Sequence, residues 1–108
     1  MTFTVRELPK AMADKHHIVR WLHDRSPQGA VAWLGAYDQM IERLKAAADT
    51  LPIAEEGERL NIEARQILFK TKRGRVYRAV FHLDAGDVFI LRVRGPGQAT
   101  IAADEWGQ

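Results

Sequence analysis

The sequence contains no cysteine, which excludes disulfides, thiol nucleophiles and thiolate metal sites. It has no apolar run approaching the roughly 20 residues that a membrane-spanning helix needs. Its start, MTFTVRELPK, lacks the apolar centre of a secretory signal. These absences lead to the expectation of a cytoplasmic protein with no membrane partner. A further scarcity is local. Residues 65–94 hold only two Asp/Glu against eight Lys/Arg, whereas residues 95–108 hold two Asp/Glu and no Lys or Arg. The net charge of +2 therefore conceals one concentrated basic block. Such asymmetry points to an acidic partner, nucleic acid or protein, or to a solvated face that keeps the chain soluble.

What is present suits one compact domain: 108 residues can bury a single core. The expected domain covers residues 1–97, with a C-terminal tail over 98–108. FTVREL (Phe3 to Leu8) reads as a short strand. Pro9 opens a helix from about Lys10 to Arg25, with Ala11, Ile18 and Leu22 on one face. Ser26-Pro27 marks a second helix start, since Ser26 can cap and Pro27 needs no N–H at the first helical position. Ala30, Trp33, Leu34, Tyr37, Met40, Ile41 and Leu44 then form a helical stripe that Pro52 ends. With almost no loop between them, the two helices should form an antiparallel hairpin. Residues 53–64 are an acidic connector. Beyond it the apolar period becomes two, predicting strands over Arg65–Lys72, Val76–Leu83 and Asp87–Arg94 in an antiparallel meander. The fold class is α+β in the order β-α-α-β-β-β, with the hairpin packed on one sheet face.

Alternation divides the meander into two faces. Ile67 and Phe69, then Tyr77, Ala79, Phe81 and Leu83, then Phe89, Leu91 and Val93 are expected to meet the helices. A three-residue loop Asp84-Ala85-Gly86 pairs Phe81 with Phe89 and leaves the left-handed position to Gly86. A loop Arg73-Gly74-Arg75 pairs Phe69 with Ala79. These registers place Lys70 beside Arg78 and Arg78 beside Arg92 on the open face, with Lys72 and Arg94 about 7 Å along their strands. Like charges directly opposed on a sheet are destabilising, so the row predicts an anion bound over it. His82 shares that face, and histidine as a residue type suits acid–base work near neutral pH, making it an acid–base candidate or a plain surface residue.

KTKRGRVYRAVF followed by VFILRVRG, after a short strand and a two-helix hairpin, resembles the RelE/ParE superfamily of toxins from type II toxin–antitoxin systems. The resemblance covers Phe3 to about Gly97. It implies a helical hairpin over an antiparallel sheet, and a cognate antitoxin with an acidic or amphipathic segment as partner. It also implies one of two activities: ribosome-dependent mRNA cleavage in RelE-like members, or inhibition of DNA gyrase in ParE-like members. By that resemblance Lys70 and Lys72 match the paired site lysines of the RelE-like group. Arg78 matches the arginine of the YR pair, and Arg94, or less closely Arg92, the arginine near the end of the last strand. Arg65, Arg73, Arg75 and Arg92 are then candidates for contact with target or antitoxin. The C-terminal Tyr or His of many such nucleases is missing from GPGQATIAADEWGQ.

The chemistry bears on this choice. RNA cleavage by a neighbouring 2′-hydroxyl needs a base, an acid and charge stabilisation at phosphate. Arginine supplies the last through its two-pronged donors, and a lysine becomes a base only when its surroundings lower its pKa. His16, His17 and His23 lack H-E-x-x-H spacing, and neither a metal nor a cofactor is implied. Trp21, Trp33 and Tyr37 read as core or hairpin contacts. Glu55, Glu56 and Glu58 read as solvated, or as a shield over the basic face. A nuclease toxin, a gyrase-inhibiting toxin and a non-toxin nucleic-acid-binding module all remain open on the sequence alone.

Overall fold

A computed structural model describes residues 2–60 and 63–96, without the side chains of residues 59 and 60. The expected tail, 98–108, lies outside the described residues. Strand β1 (Thr4–Glu7) leads into helix α1 (Pro9–Arg25) and helix α2 (Pro27–Ala47). A 3-10 turn (Ala48–Thr50) and a short helix α3 (Glu55–Leu60) precede strands β2 (Arg65–Phe69), β3 (Tyr77–Asp84) and β4 (Asp87–Arg94). Ser26 alone joins the two long helices. Its hydroxyl accepts the N–H of Gly29 at 3.0 Å, as an N-cap should, and its own N–H closes α1 on the Leu22 carbonyl.

The sheet runs β1-β4-β3-β2, with β2 at one edge. β1 pairs parallel with β4, Thr4 opposite Asp87 and Glu7 opposite Ile90, while β2, β3 and β4 form the antiparallel meander. Ala30, Trp33, Tyr37, Met40 and Leu44 recur every three or four residues along α2 and are buried. Trp33, Tyr37, Met40 and Leu44 pack on Ile67, Phe69, Ala79, Phe81, Val88, Ile90 and Val93 in one core. Trp33 stacks on Tyr37 with ring centroids 5.3 Å apart and lies 5.6 Å from Phe69. Gly35 faces open space, so no close helix approach depends on it.

Several expected details differ. The β3–β4 loop has two residues rather than three: Asp84 pairs with Asp87, and Phe81 pairs with Ile90 rather than Phe89. Ala85, not Gly86, takes the left-handed conformation, at φ 54. The register then shifts between Val80 and Phe81, a β-bulge. The bulge keeps Val93 in the core while Val88 and Ile90 replace Phe89 and Leu91 there. β2 stops at Phe69, which pairs with Tyr77 instead of Ala79, so Lys70 and Lys72 lie in the β2–β3 loop. Trp21 is 53% exposed rather than a core contact.

The described part of the acidic connector is folded. Ile53 bridges Arg65, the Ala54 N–H donates to the Ala64 carbonyl at 2.9 Å, and Ala54, Ala64 and Val80 form a small second core with Leu91 against it. Since Val80 points away from the helical hairpin, this segment covers part of the sheet's outer face.

Candidate partner cleft and the paired arginines

The residues named from the sequence separate into two groups. Lys70, Lys72, Arg73 and Arg75 are exposed in the β2–β3 loop. There the Gly74 N–H donates to the Thr71 carbonyl at 3.2 Å, and the Thr71 hydroxyl occupies the space a Cβ at Gly74 would need. Arg65, Arg78, Arg92 and Arg94 are half-buried on the strands. The expected row of Lys70, Arg78 and Arg92 is not formed. Arg78 pairs across the sheet with Leu68 and Arg94, while Arg92 pairs with Val80.

Arg78, Arg92 and Arg65 are each tied to another part of the chain. Arg78 donates through Nη1 to Glu56 Oε1 at 2.9 Å and through Nη2 to Glu56 Oε2, a two-pronged pair with a carboxylate that has no exposed surface. Its Nη1 also lies 3.3 Å from Gln66 Oε1. Glu56 thus shields part of the basic face, as one reading of the acidic connector expected. Arg92 donates through Nε and Nη2 to the Asp14 carboxylate at 2.7 and 2.9 Å. Arg92, beside the bulge, reaches Asp14 on α1 past the end of the β1–β4 pairing. Arg65 donates to the Leu51 carbonyl at 2.6 Å and holds the connector to β2. His82 lies 2.6 Å from the Glu63 carbonyl through Nδ1 and stacks near Phe89. Because a carbonyl only accepts, Nδ1 carries the proton in that contact.

The two lysines line different depressions. Lys70 borders a hollow of about 320 Å³ between α2 and the edge strand, beside Met40, Leu68 and Val76. Lys72 borders a cleft of about 1360 Å³ between the hairpin and the β2–β3 loop. Ile18, Leu22, Trp33 and Tyr77 contribute apolar surface to this larger cleft, and Arg73 and Arg75 join Lys72 on its loop side. His17 and the exposed Trp21 line it from α1, with the Arg25 guanidinium 3.6 Å above the Trp21 ring centroid. Burial raises the Tyr77 phenol above its ordinary pKa, with Arg75 pulling the other way. Among the described residues no His, Asp and Glu group converges to hold a metal, and no helix is long and apolar enough to cross a membrane.

Sequence reasoning missed the cleft because Trp21 and Tyr77 share the alternation and helical spacing of core residues. It missed Asp14 because nothing local distinguishes that residue from a solvated helix acid. A helix face that presents His17 and Trp21 together was the available clue.

No family model and no curated protein matches the sequence. Solved structures do. The chromosomal ParDE TA system from P. aeruginosa aligns over 87% of this chain and 96% of that one, with a TM-score of 0.65 at 18% identity. The RelBE2 toxin–antitoxin complex from Mycobacterium tuberculosis aligns over 88% of this chain and 99% of that one, with a TM-score of 0.40 at 20% identity. The ParDE likeness establishes a RelE/ParE-like fold for this chain.

Proposed function

We propose that this chain is the toxin of a type II toxin–antitoxin pair and that it acts by binding a protein target, DNA gyrase, rather than by cutting RNA. The observation that carries this reading is the engagement of Arg78 by Glu56 and of Arg92 by Asp14. A guanidinium already held on both prongs is not poised to stabilise phosphate. Lys70 and Lys72 border separate depressions, which favours separate contacts over joint action on one scissile bond. His82 supplies no obvious acid beside Arg78, being four residues away on the same strand, about 13 Å.

The larger cleft suits a protein segment. Its wall is apolar and its loop side is basic, which matches an amphipathic segment carrying acidic residues. A small acidic antitoxin placed there would cover Lys72, Arg73 and Arg75.

Controlled expression without a partner tests the reading. The expected result is filamentation with DNA damage, intact translation, and inhibition of supercoiling by purified gyrase. Ribosome-dependent cutting of mRNA with prompt translation arrest would overturn it in favour of a nuclease. That second reading draws on Lys72 and Arg75 lying in one cleft with Tyr77. Absence of any growth effect would count against both and favour a nucleic-acid-binding module.

A further inference from the structure

Gly95 and Pro96, which follow β4, line the larger cleft between the hairpin and the β2–β3 loop. The chain beyond them, Gly97 to Gln108, reads GQATIAADEWGQ and lies outside the described residues. It carries Asp104 and Glu105 and no Lys or Arg, with Ile101 and Trp106 on either side of the acidic pair. The cleft is the complement of that composition. Ile18, Leu22, Trp33 and Tyr77 give it an apolar wall, and Lys72, Arg73 and Arg75 give it a basic edge. Trp33 adds an independent sign of an occupant. Its indole N–H is buried with no hydrogen-bond partner among the described residues. Such donors are rare in native folds, and a carbonyl or carboxylate beside the ring is the kind of group that satisfies one. Reach is sufficient. From Pro96 to Trp106 the extended chain spans about 33 Å, several times the width of a space of about 1360 Å³.

We propose that the segment from Gly97 to Gln108 docks in this cleft of its own chain. Trp106 lies on the apolar wall, and Asp104 and Glu105 face Lys72, Arg73 and Arg75. The aromatic ring supplies most of the affinity, and the acidic pair fixes the orientation. The segment thereby competes with any acidic amphipathic partner for the same surface. On a short linker its effective concentration is about 1 mM. With an intrinsic dissociation constant of about 0.1 mM it fills the cleft about nine-tenths of the time, and a partner binds about tenfold more weakly. This docking rests on the cleft's reading as a seat for an acidic amphipathic segment, not on the gyrase target. It is measured on the isolated chain, so a failed gyrase assay and a failed docking test are separate results.

The chain has no cysteine, so one nitroxide at Gln108→Cys reports the segment's position without touching the residues that dock. In the full chain the amides of His17, Trp21, Gly74 and Arg75 should broaden more than those of Ala54 and Gly57. Uniform or absent broadening overturns the proposal. Broadening that survives when nitroxide and isotope label are on different molecules assigns the cleft to a second copy and also overturns it. Asp104→Lys/Glu105→Lys should abolish the selective broadening, and adding Arg73→Glu/Arg75→Glu should restore it; no restoration overturns the assignment of the basic edge. Fluorescence anisotropy with a labelled peptide of residues 97–108 gives the second measurement. The peptide should bind Asp104→Lys/Glu105→Lys/Trp106→Ala about tenfold more tightly than the unsubstituted chain. Equal affinity for the two, or no binding to either, overturns the proposal.

Discussion

Asp14 on α1 holds Arg92 on β4 with both carboxylate oxygens, and its Oδ2 also accepts the Val93 N–H at 2.9 Å. The position explains the bond. β1 pairs with β4 only as far as Ile90, so the β4 edge beyond it needs another acceptor for its outward N–H. The helix supplies this acceptor and is thereby fastened to the strand. Asp14→Ala should lower stability by about 3 kcal/mol, because it strands a half-buried guanidinium and a backbone donor together. Urea unfolding measures this.

Arg78 and Arg73 should respond oppositely to truncation. Arg78→Ala leaves the buried Glu56 carboxylate without its guanidinium partner and should cost about 3 kcal/mol. Arg73 is exposed in a loop, so Arg73→Ala should stay within about 0.5 kcal/mol. Equal losses in the two denaturation midpoints would contradict the division into scaffold and surface arginines.

Ala85 adopts φ 54 in the two-residue loop between β3 and β4. A Cβ is disfavoured there and glycine is not. Ala85→Gly should therefore raise stability by about 0.5 kcal/mol, the strain relief exceeding the added freedom of the unfolded chain. A lower thermal midpoint would refute this.

Tyr37 carries a hydroxyl that is buried without a hydrogen-bond partner among the described residues, although the Glu7 carboxylate stands near it. Burial first, and Glu7 next, push its pKa well above the ordinary 10.0. The unfolded chain releases this proton at lower pH than the folded one. Stability from this group is thus complete below about pH 10 and declines above it. Tyr37→Phe should be near neutral at pH 7 and should flatten the alkaline decline between pH 9 and about 11. Urea midpoints across that range provide the comparison.

Arg73 and Arg75 border the larger cleft and are exposed. Arg73→Glu/Arg75→Glu should leave the circular dichroism spectrum unchanged and weaken the hold on an acidic partner segment at least tenfold, chiefly through a slower association rate. Unchanged binding of antitoxin and gyrase in pull-down and calorimetry would remove the loop from the interface.

Local signals determined much of the fold. Pro9 and Ser26-Pro27 set the helix starts, because capping depends on neighbours in the chain. The stripe from Ala30 to Leu44 marked the buried face of α2, and alternation marked Ile67, Phe69, Ala79 and Phe81. The basic block and its candidate arginines were also visible as composition. Tertiary structure alone decided which charges meet. One extra residue at the bulge exchanged Phe89 and Leu91 for Val88 and Ile90 in the core and gave Arg92 Val80 rather than Arg78 as its cross-strand neighbour. A seven-residue loop in place of three moved Lys70 and Lys72 off the sheet. Connector folding brought Glu56, 22 positions away, onto Arg78. Alternation and helical period record burial, which each residue's neighbours on its own element express. Ion pairing depends on register and on which segments pack together, and these follow from the balance of the whole core.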